Sequence, residues 1–159
     1  MNDIDDINTR DFLSDEEVDR VIELGMGLEI KAASVGQVYQ PDPSARITDV
    51  SWISPGGEAS WIYKKITTAV NHINSEVYQY QLSRFENLQF SIYANGGFYS
   101  KHTDMGVSRP ESRKLSFVIQ LSDPSEYEGG DLIMWRQHLP LPVRKKKGTI
   151  TYFPSYMLH

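Results

Sequence analysis

The sequence YANGGFYSKHTD, residues 93–104, contains a glycine turn and a short extended segment that ends in histidine, threonine and aspartate. Residues two apart on a strand face the same side, so the side chains of His102 and Asp104 can both point at one ion. A His-x-Asp pair alone is weak evidence, because such pairs also occur in ordinary surface turns. Its interpretation depends on the rest of the chain.

The end of the chain supplies another histidine. Residues 153–159 read FPSYMLH, and the last residue is His159. Two histidines and one carboxylate on one face of a metal leave coordination positions open, which is the arrangement of non-haem Fe(II) oxygenases. The chain contains no cysteine. Any bound metal must therefore be held by His, Asp or Glu.

Alternating apolar and polar residues predict strands on both sides of residues 93–104. The alternation is clearest at residues 88–92 (LQFSI) and 115–121 (LSFVIQL). Further strands are predicted at residues 131–135, 141–144 and 149–153, where glycines and prolines mark the intervening turns. The second half of the chain is therefore predicted to be mainly β.

Two helices are predicted ahead of these strands. Ser14 and Glu17 fit a capping box, and apolar residues then recur at helical spacing. Residues 60–74 carry one apolar stripe with the period of a helix. Residues 34–57 are rich in proline and glycine, which indicates a surface flap around an extended piece at residues 47–53.

The order of these elements predicts an α+β fold that is mainly β, with a jelly-roll core backed by N-terminal helices. A length of 159 residues with 40% hydrophobic residues suits one domain with a core. We expect residues 1–75 to form helical support and the flap. Residues 76–159 are expected to form the jelly-roll core.

Four blocks of sequence resemble the Fe(II)- and 2-oxoglutarate-dependent dioxygenases, especially the prolyl 4-hydroxylase-like branch. The blocks are residues 93–104, 113–122, 127–132 and 148–159, and the resemblance extends from about Arg46 to His159. It implies a double-stranded β-helix fold. It also implies that His102, Asp104 and His159 are the Fe(II) ligands.

The resemblance implies further site residues and cofactors. Tyr93, Gln120 and Leu132 occupy positions that line the 2-oxoglutarate pocket in the family, although relatives often carry tyrosine at the position of Gln120. Tyr99 resembles a residue near the substrate mouth, with a β-core aromatic as the alternative. The expected cofactors are Fe(II), 2-oxoglutarate and O2, with ascorbate as a further candidate.

One family feature lies beyond the matched blocks. Relatives carry an Arg or Lys on the strand after the distal histidine, where it pairs with the distal carboxylate of 2-oxoglutarate. No residue follows His159. We expect a truncated version of a longer protein, with the last strand missing and a terminal histidine free to fray. The alternative is a short homologue that has lost catalysis.

The reaction implied by the resemblance is hydroxylation of an amino-acid side chain, with proline in a peptide or protein as the expected target and succinate as a product. A non-catalytic jelly-roll module that holds a peptide, or an inactive truncated oxygenase, is the alternative. Arg46 is a candidate substrate contact, as are Trp52 and Trp61. Core packing is the favoured interpretation of the two tryptophans.

Charge and composition limit the partners. A net charge of -5 argues against a surface for nucleic acid or an anionic membrane. The basic run at residues 144–147 is typical of a solvated turn. Neither a signal peptide nor a membrane span is predicted, so a cytoplasmic protein is expected. His72 lies in the second predicted helix and His138 in a proline-flanked loop with no carboxylate at ligand spacing, so surface or helix-face roles are expected.

Overall fold

The computed structural model describes residues 6–34, 42–105 and 113–159, within which strands outnumber helices. The helices are α1 (Asp15–Met26) and α2 (Ser60–Ile73). The strands are β1 (Asn8–Asp11), β2 (Lys31–Ala32), β3 (Arg46–Ile47), β4 (Asp49–Ile53), β5 (Leu88–Ile92), β6 (Phe98–Tyr99), β7 (Leu115–Ile119), β8 (Ile133–Arg136), β9 (Leu139–Pro142) and β10 (Thr149–Pro154). The mainly-β α+β class is confirmed.

Helix α1 begins where its capping residues predict. The Ser14 hydroxyl accepts a hydrogen bond from Glu17 N, and the Glu17 carboxylate accepts one from Ser14 N. The Glu17 carboxylate also accepts a hydrogen bond from Lys65 Nζ of α2 at 2.6 Å, and this ion pair connects the two helices. Val18 and Val21 of α1 enter the main core.

Helix α2 buries the predicted apolar stripe and ends one residue before the predicted boundary. Its buried residues are Ile62, Ile66, Val70 and Ile73. The chain continues in one π-helical turn, Asn74–Tyr78, and leaves it through Gln79, which has a φ of 53°. The Asn74 side chain holds this exit by bonding both the amide and the carbonyl of Tyr80.

Two three-stranded sheets carry most of the backbone pairing. In one sheet β10 lies between β1 and β7, and in the other β4 lies between β2 and β5, with antiparallel pairing throughout. Strands β3 with β6, and β8 with β9, form two small sheets. The first 75 residues, where helical support and a flap were predicted, therefore also contribute strands that pair with later strands. Residues 35–41 of the predicted flap lie outside the described residues.

Strand β9 lies two residues earlier than predicted. The turn before it consists of Gln137 and His138, both with positive φ, which closes a tight β8–β9 hairpin. Pro140 and Pro142 then fall within the strand, where we had expected a break at Pro140. They are tolerated because β8 is the one partner of β9 among the described strands, and residues two apart can both direct their missing N–H positions away from that partner.

The main core joins the helices to both three-stranded sheets. It contains Ile53 of β4, Phe90 of β5, and Ile150 and Tyr152 of β10. Trp61 packs against this core, as expected. The core prediction for Trp52 is wrong, because its side chain points outward from β4 and is 51% exposed.

Candidate metal centre

The two histidines of the candidate site are joined to each other through their backbones. His102 N donates to His159 O at 2.9 Å, and His159 N donates to His102 O at 3.0 Å. This reciprocal pair is the hydrogen-bonded type of antiparallel bridge, which holds two residues directly opposite each other. Residues 57 positions apart in the chain thus present their side chains together.

The side chains of His102, Asp104 and His159 converge into one cluster. Asp104 Oδ1 lies 3.7 Å from His102 Nε2 and 3.9 Å from His159 Nε2. One ligand atom from each residue lies within 4.8 Å of the others, and all three residues are partly buried. Two imidazoles and one carboxylate are the donor set that suits non-haem Fe(II).

Backbone carbonyls fix which ring nitrogen faces the cluster. His102 Nδ1 lies 2.9 Å from Ser100 O, and His159 Nδ1 lies 3.0 Å from Met157 O. A carbonyl oxygen can only accept, so Nδ1 carries the proton in both rings. The lone pair of each Nε2 then faces Asp104, which is the tautomer that a metal-binding histidine needs. The residues present fit a divalent metal.

Burial favours the neutral form of His102. Desolvation lowers its pKa, and repulsion from His159 adds to this effect, although the Ser100 carbonyl and the Asp104 carboxylate act in the opposite direction. An imidazole must be neutral to bind a metal. The surroundings of His102 therefore favour the ligand form.

His159 is held firmly at the end of the chain. Its side chain is only 8% exposed, and its ring packs against Phe153 with the ring centroids 4.7 Å apart. Leu158, the preceding residue, accepts a hydrogen bond from Trp135 N of β8. The expectation that His159 would fray is wrong. Its backbone pairs with His102, the preceding carbonyl pairs with Trp135, and its ring packs against Phe153.

Tyr99 and Arg46 extend the cluster on one side. The Tyr99 ring stacks on the His102 ring with centroids 3.6 Å apart, and the Arg46 guanidinium carbon lies 4.4 Å from the Tyr99 centroid. Burial raises the pKa of Tyr99. The structure thus brings both predicted substrate contacts next to the candidate metal ligands.

The three residues that were predicted to contact 2-oxoglutarate lie in three different parts of the fold. Tyr93 follows β5 and is half exposed. Gln120 directly follows β7, where its backbone N donates to Thr149 O at 2.9 Å and its side-chain amide donates to the Tyr127 hydroxyl at 2.7 Å. Leu132 packs against a small core cluster of Met134, Phe153 and Met157. Their roles toward a co-substrate stay predictions.

Arg113 is a residue near the site that our sequence interpretation missed. Its guanidinium bonds both carboxylate oxygens of Glu86, at 2.9 and 2.7 Å, and approaches Asp104 O at 3.4 Å. It thereby connects the segment before β5 to the metal-ligand loop. The only available sequence signal was its position at the start of the block 113–122, two residues before the strand predicted at residues 115–121.

Ser155 is a second missed positioning residue. It is fully buried, and its carbonyl accepts from Met105 N while its amide donates to Lys114 O. Its hydroxyl lies 2.8 Å from that of Ser116. Ser155 therefore locks the segment that leads to His159 against the loop that carries Asp104.

The remaining sequence candidates lie outside the cluster. His72 is exposed on α2 beside Glu76, at 3.4 Å, and His138 is exposed in the β8–β9 turn. The basic run at residues 144–147 pairs with surface carboxylates, namely Asp11, Asp15, Asp19 and Asp131. Among the described residues, no helix combines the length and apolar character needed to cross a bilayer.

Comparison with known families agrees with this geometry. Residues 88–159, which contain all three candidate ligands, match the profile of the family described as the 2OG-Fe(II) oxygenase superfamily. This part of the chain, which is less than half of its 159 residues, is similar to that superfamily. Fe(II) and 2-oxoglutarate are the cofactors that define it.

Similar proteins include two PKHD-type hydroxylases. A PKHD-type hydroxylase of Picosynechococcus sp. is 35% identical over 72 residues, which cover 45% of this chain and 33% of that protein. One from Crocosphaera subtropica is 37% identical over 76 residues, covering 46% of this chain and 34% of that protein. The matched region thus spans about a third of the length of these curated relatives.

Two solved structures share the fold over nearly the whole chain. A Pseudomonas putida prolyl-4-hydroxylase superposes with a TM-score of 0.72 at 22% identity, covering 96% of this chain and 82% of that chain. A prolyl hydroxylase from Trichoplax adhaerens, in complex with a hypoxia inducible factor peptide fragment, gives 0.81 at 14% identity, covering 97% and 76%. At these identities the likeness concerns the fold.

Proposed function

We propose that this protein is an Fe(II)- and 2-oxoglutarate-dependent dioxygenase that hydroxylates an amino-acid side chain, with proline in a peptide or protein as the target. The observation that carries the proposal is the cluster of His102, Asp104 and His159, in which both imidazoles present Nε2 to one carboxylate. The proposal includes one jelly-roll domain of the double-stranded β-helix type over residues 1–159.

In this proposal His102, Asp104 and His159 would hold Fe(II) through two imidazole nitrogens and one carboxylate oxygen. Bound Fe(II), with 2-oxoglutarate and O2, supplies the oxidising chemistry that places one oxygen atom in a C–H bond and releases succinate and CO2. The protein's own task is to orient the ligands and the substrate. The Ser100 and Met157 carbonyls fix the two imidazole rings for this purpose.

The pocket for 2-oxoglutarate is assigned in this proposal to Tyr93, Gln120 and Leu132. Gln120 has a donor and an acceptor to offer, but its amide must leave the Tyr127 hydroxyl, 2.7 Å away, before it can bind a ligand. Leu132 offers an apolar wall continuous with the core cluster around Phe153. Tyr93, which is half exposed, offers a hydroxyl on the solvent-accessible side of this proposed pocket.

The peptide substrate is proposed to lie beside Tyr99 and Arg46. The Tyr99 ring stacks directly on a metal-ligand imidazole, so a side chain placed against Tyr99 lies next to the reacting centre. The bound peptide of the Trichoplax adhaerens enzyme, which shares the fold, supports a peptide or protein substrate. Aromatic rings and arginines are effective anchors for such segments.

The proposal is tested by incubating the protein with Fe(II), 2-oxoglutarate, O2, ascorbate and a set of proline-containing peptides. We expect succinate to form together with a peptide whose mass has increased by one oxygen atom. Asp104→Ala is the matched control and should form neither product. A wild-type protein that binds metal and peptide but forms no succinate would instead indicate the non-catalytic peptide-binding module.

A further inference from the structure

Arg46 is a charged side chain buried beside the candidate metal centre. Only 8% of the residue is exposed, although arginine is rarely buried without a partner. Arg46 on β3 lies directly opposite Tyr99 on β6. Opposed residues of an antiparallel pair project from the same face, so the guanidinium reaches the Tyr99 ring, with its carbon 4.4 Å from the centroid.

The Tyr99 ring separates Arg46 from His102. The imidazole stacks on this ring with centroids 3.6 Å apart and an interplanar angle of 23°. A face already covered at this distance has no room for a guanidinium, so Arg46 occupies the other face. The positive charge therefore lies one aromatic ring away from the candidate metal ligands.

This positive charge has no counter-ion within residues 6–34, 42–105 and 113–159. No carboxylate in these ranges forms an ion pair with Arg46, and its Nε is enclosed without a hydrogen-bond acceptor. The nearby Asp42 carboxylate is bound by the amide and hydroxyl of Ser44 instead. Burying an unpaired charge is strongly unfavourable. A buried unpaired charge beside a functional site therefore indicates a ligand of opposite charge that pairs with it.

We propose that Arg46 binds a carboxylate of the ligand that enters beside Tyr99, an inference that rests on the proposed function. A guanidinium presents parallel N–H donors that match the two oxygens of a carboxylate. The carboxylate belongs either to 2-oxoglutarate or to an acidic residue of the peptide substrate. In both cases the ligand supplies a negative charge that the described residues do not place beside Arg46.

The proposal predicts that Arg46→Met maintains or raises the stability of the ligand-free protein but weakens its binding of a carboxylate ligand. Arg46→Met keeps an unbranched apolar stem against the Tyr99 ring and removes the unpaired charge. The melting temperature of the ligand-free variant should therefore equal or exceed that of the wild type. A residue kept for packing alone would give a lower melting temperature and unchanged ligand affinity.

The experiment is a set of calorimetric titrations under anaerobic conditions. The probes are Mn(II), 2-oxoglutarate in the presence of Mn(II), and two proline peptides that differ by one Glu-to-Gln exchange, the peptides being titrated with and without metal. The variants are Arg46→Met, Arg46→Lys and the exposed control Arg144→Met. Arg46→Lys keeps the charge without the planar fork, so the test does not depend on the folding of one variant.

We expect Arg46→Met to weaken binding of a carboxylate probe by about tenfold or more. Its Mn(II) affinity should stay within about twofold of the wild-type value, because Arg46 is not a metal ligand. If only 2-oxoglutarate binds more weakly, the carboxylate that Arg46 binds belongs to the co-substrate. If only the Glu peptide binds more weakly, that carboxylate belongs to the peptide substrate. Arg144→Met should behave as wild type.

Two results would overturn the assignment. One is an Arg46→Met variant that binds both carboxylate probes as tightly as the wild type. The other is a wild-type protein that neither binds 2-oxoglutarate nor distinguishes the Glu peptide from the Gln peptide. Failure of the proposed function is separate, because it appears as absent Mn(II) binding, and the metal-free peptide titrations still test Arg46 in that case.

Discussion

His102 and His159 show how backbone structure prepares side chains for chemistry. Each imidazole donates from Nδ1 to a carbonyl two residues earlier in the chain, and the two residues also pair with each other through their amides. The orientation of both rings is therefore set before any metal binds. Preorganisation of this kind reduces what a ligand must order when it arrives.

The ligand assignment predicts a specific loss of metal binding. Replacing His102 with Ala removes one of three donors, so Mn(II) affinity should fall by about 100-fold or more. His72→Ala, on the exposed face of α2, should bind as the wild type does. The electron paramagnetic resonance signal of free Mn(II) measures both affinities, and circular dichroism checks the fold. Equal affinity in the two variants would contradict the assignment.

At the residue scale, spacing and resemblance identified the three cluster residues but not the groups that support them. His-x-Asp is visible in the sequence because strand geometry places both side chains on one face. Arg113 and Ser155 were missed because their roles arise from contacts with Glu86, Met105 and Lys114, which are distant in the chain. Only folding brings these segments together.

The capping box of α1 is a local device whose contribution can be measured. Ser14→Ala removes the hydroxyl that accepts from Glu17 N, and it should lower the free energy of unfolding by about 1 kcal/mol. Thr67→Ala, at an exposed position of α2, should cause no loss, since alanine is the better helix former. Urea unfolding compares the two variants. A smaller effect of Ser14→Ala than of Thr67→Ala would contradict the capping interpretation.

Gly148 closes a tight connection between the start of α1 and β10. Its carbonyl accepts hydrogen bonds from Phe12 N and Leu13 N, its φ is +78°, and an added Cβ would overlap the Leu13 carbonyl oxygen. Gly148→Ala should therefore destabilise the protein by about 2 kcal/mol or more.

Gly129 provides the control for Gly148. It has a similar φ of +70°, but nothing lies within 4 Å of an added Cβ. Gly129→Ala should cost only about 1 kcal/mol, from backbone strain alone. Chemical denaturation gives both values, and similar losses for the two variants would show that the close approach to Leu13 is unimportant.

At the element scale, local signals predicted the helices well, but strands β1 and β2 were not predicted. The capping box and the apolar stripe are each formed by residues within about ten positions of one another in the chain. Both helices therefore begin where these local signals predict. Strand β1 has the polar sequence NTRD and no alternation. It forms because its backbone pairs with β10, with the Thr9 and Thr151 hydroxyls 2.9 Å apart.

Two tyrosines join the elements of the whole molecule and should make it sensitive to alkali. Burial raises the pKa of Tyr78 to about 12 and that of Tyr152 to about 12. The Tyr78 hydroxyl lies 3.0 Å from the carbonyls of both Asp6 and Tyr152, so it connects the π-helical turn that follows α2 to β10.

The direction of this pH effect follows from proton linkage. The unfolded pKa of tyrosine is about 10, so the folded protein retains both protons when the unfolded chain has lost them. Their contribution to stability is complete below about pH 10 and is lost as the pH rises toward 12. Denaturant unfolding at pH 8 to 12 measures the loss. Tyr78→Phe should reduce the pH dependence, whereas the same substitution at the exposed Tyr156 should not.

At the scale of the whole molecule, the order of helices and strands predicted the α+β class, and the sequence blocks predicted the family. The four separate sheets and the shared core were not predictable, because pairings such as β1 with β10 depend on long-range register. The exposed position of Trp52 likewise depends on which face of β4 the helices cover.

The metal centre is tested most directly by anaerobic calorimetric titration of the wild-type chain with Mn(II), followed by 2-oxoglutarate. We predict saturable binding of one Mn(II) per chain at His102, Asp104 and His159, and 2-oxoglutarate binding only when the metal is present. Absence of saturable Mn(II) binding, or 2-oxoglutarate binding of equal affinity without metal, would contradict the assignment of these residues as the centre of an oxygenase.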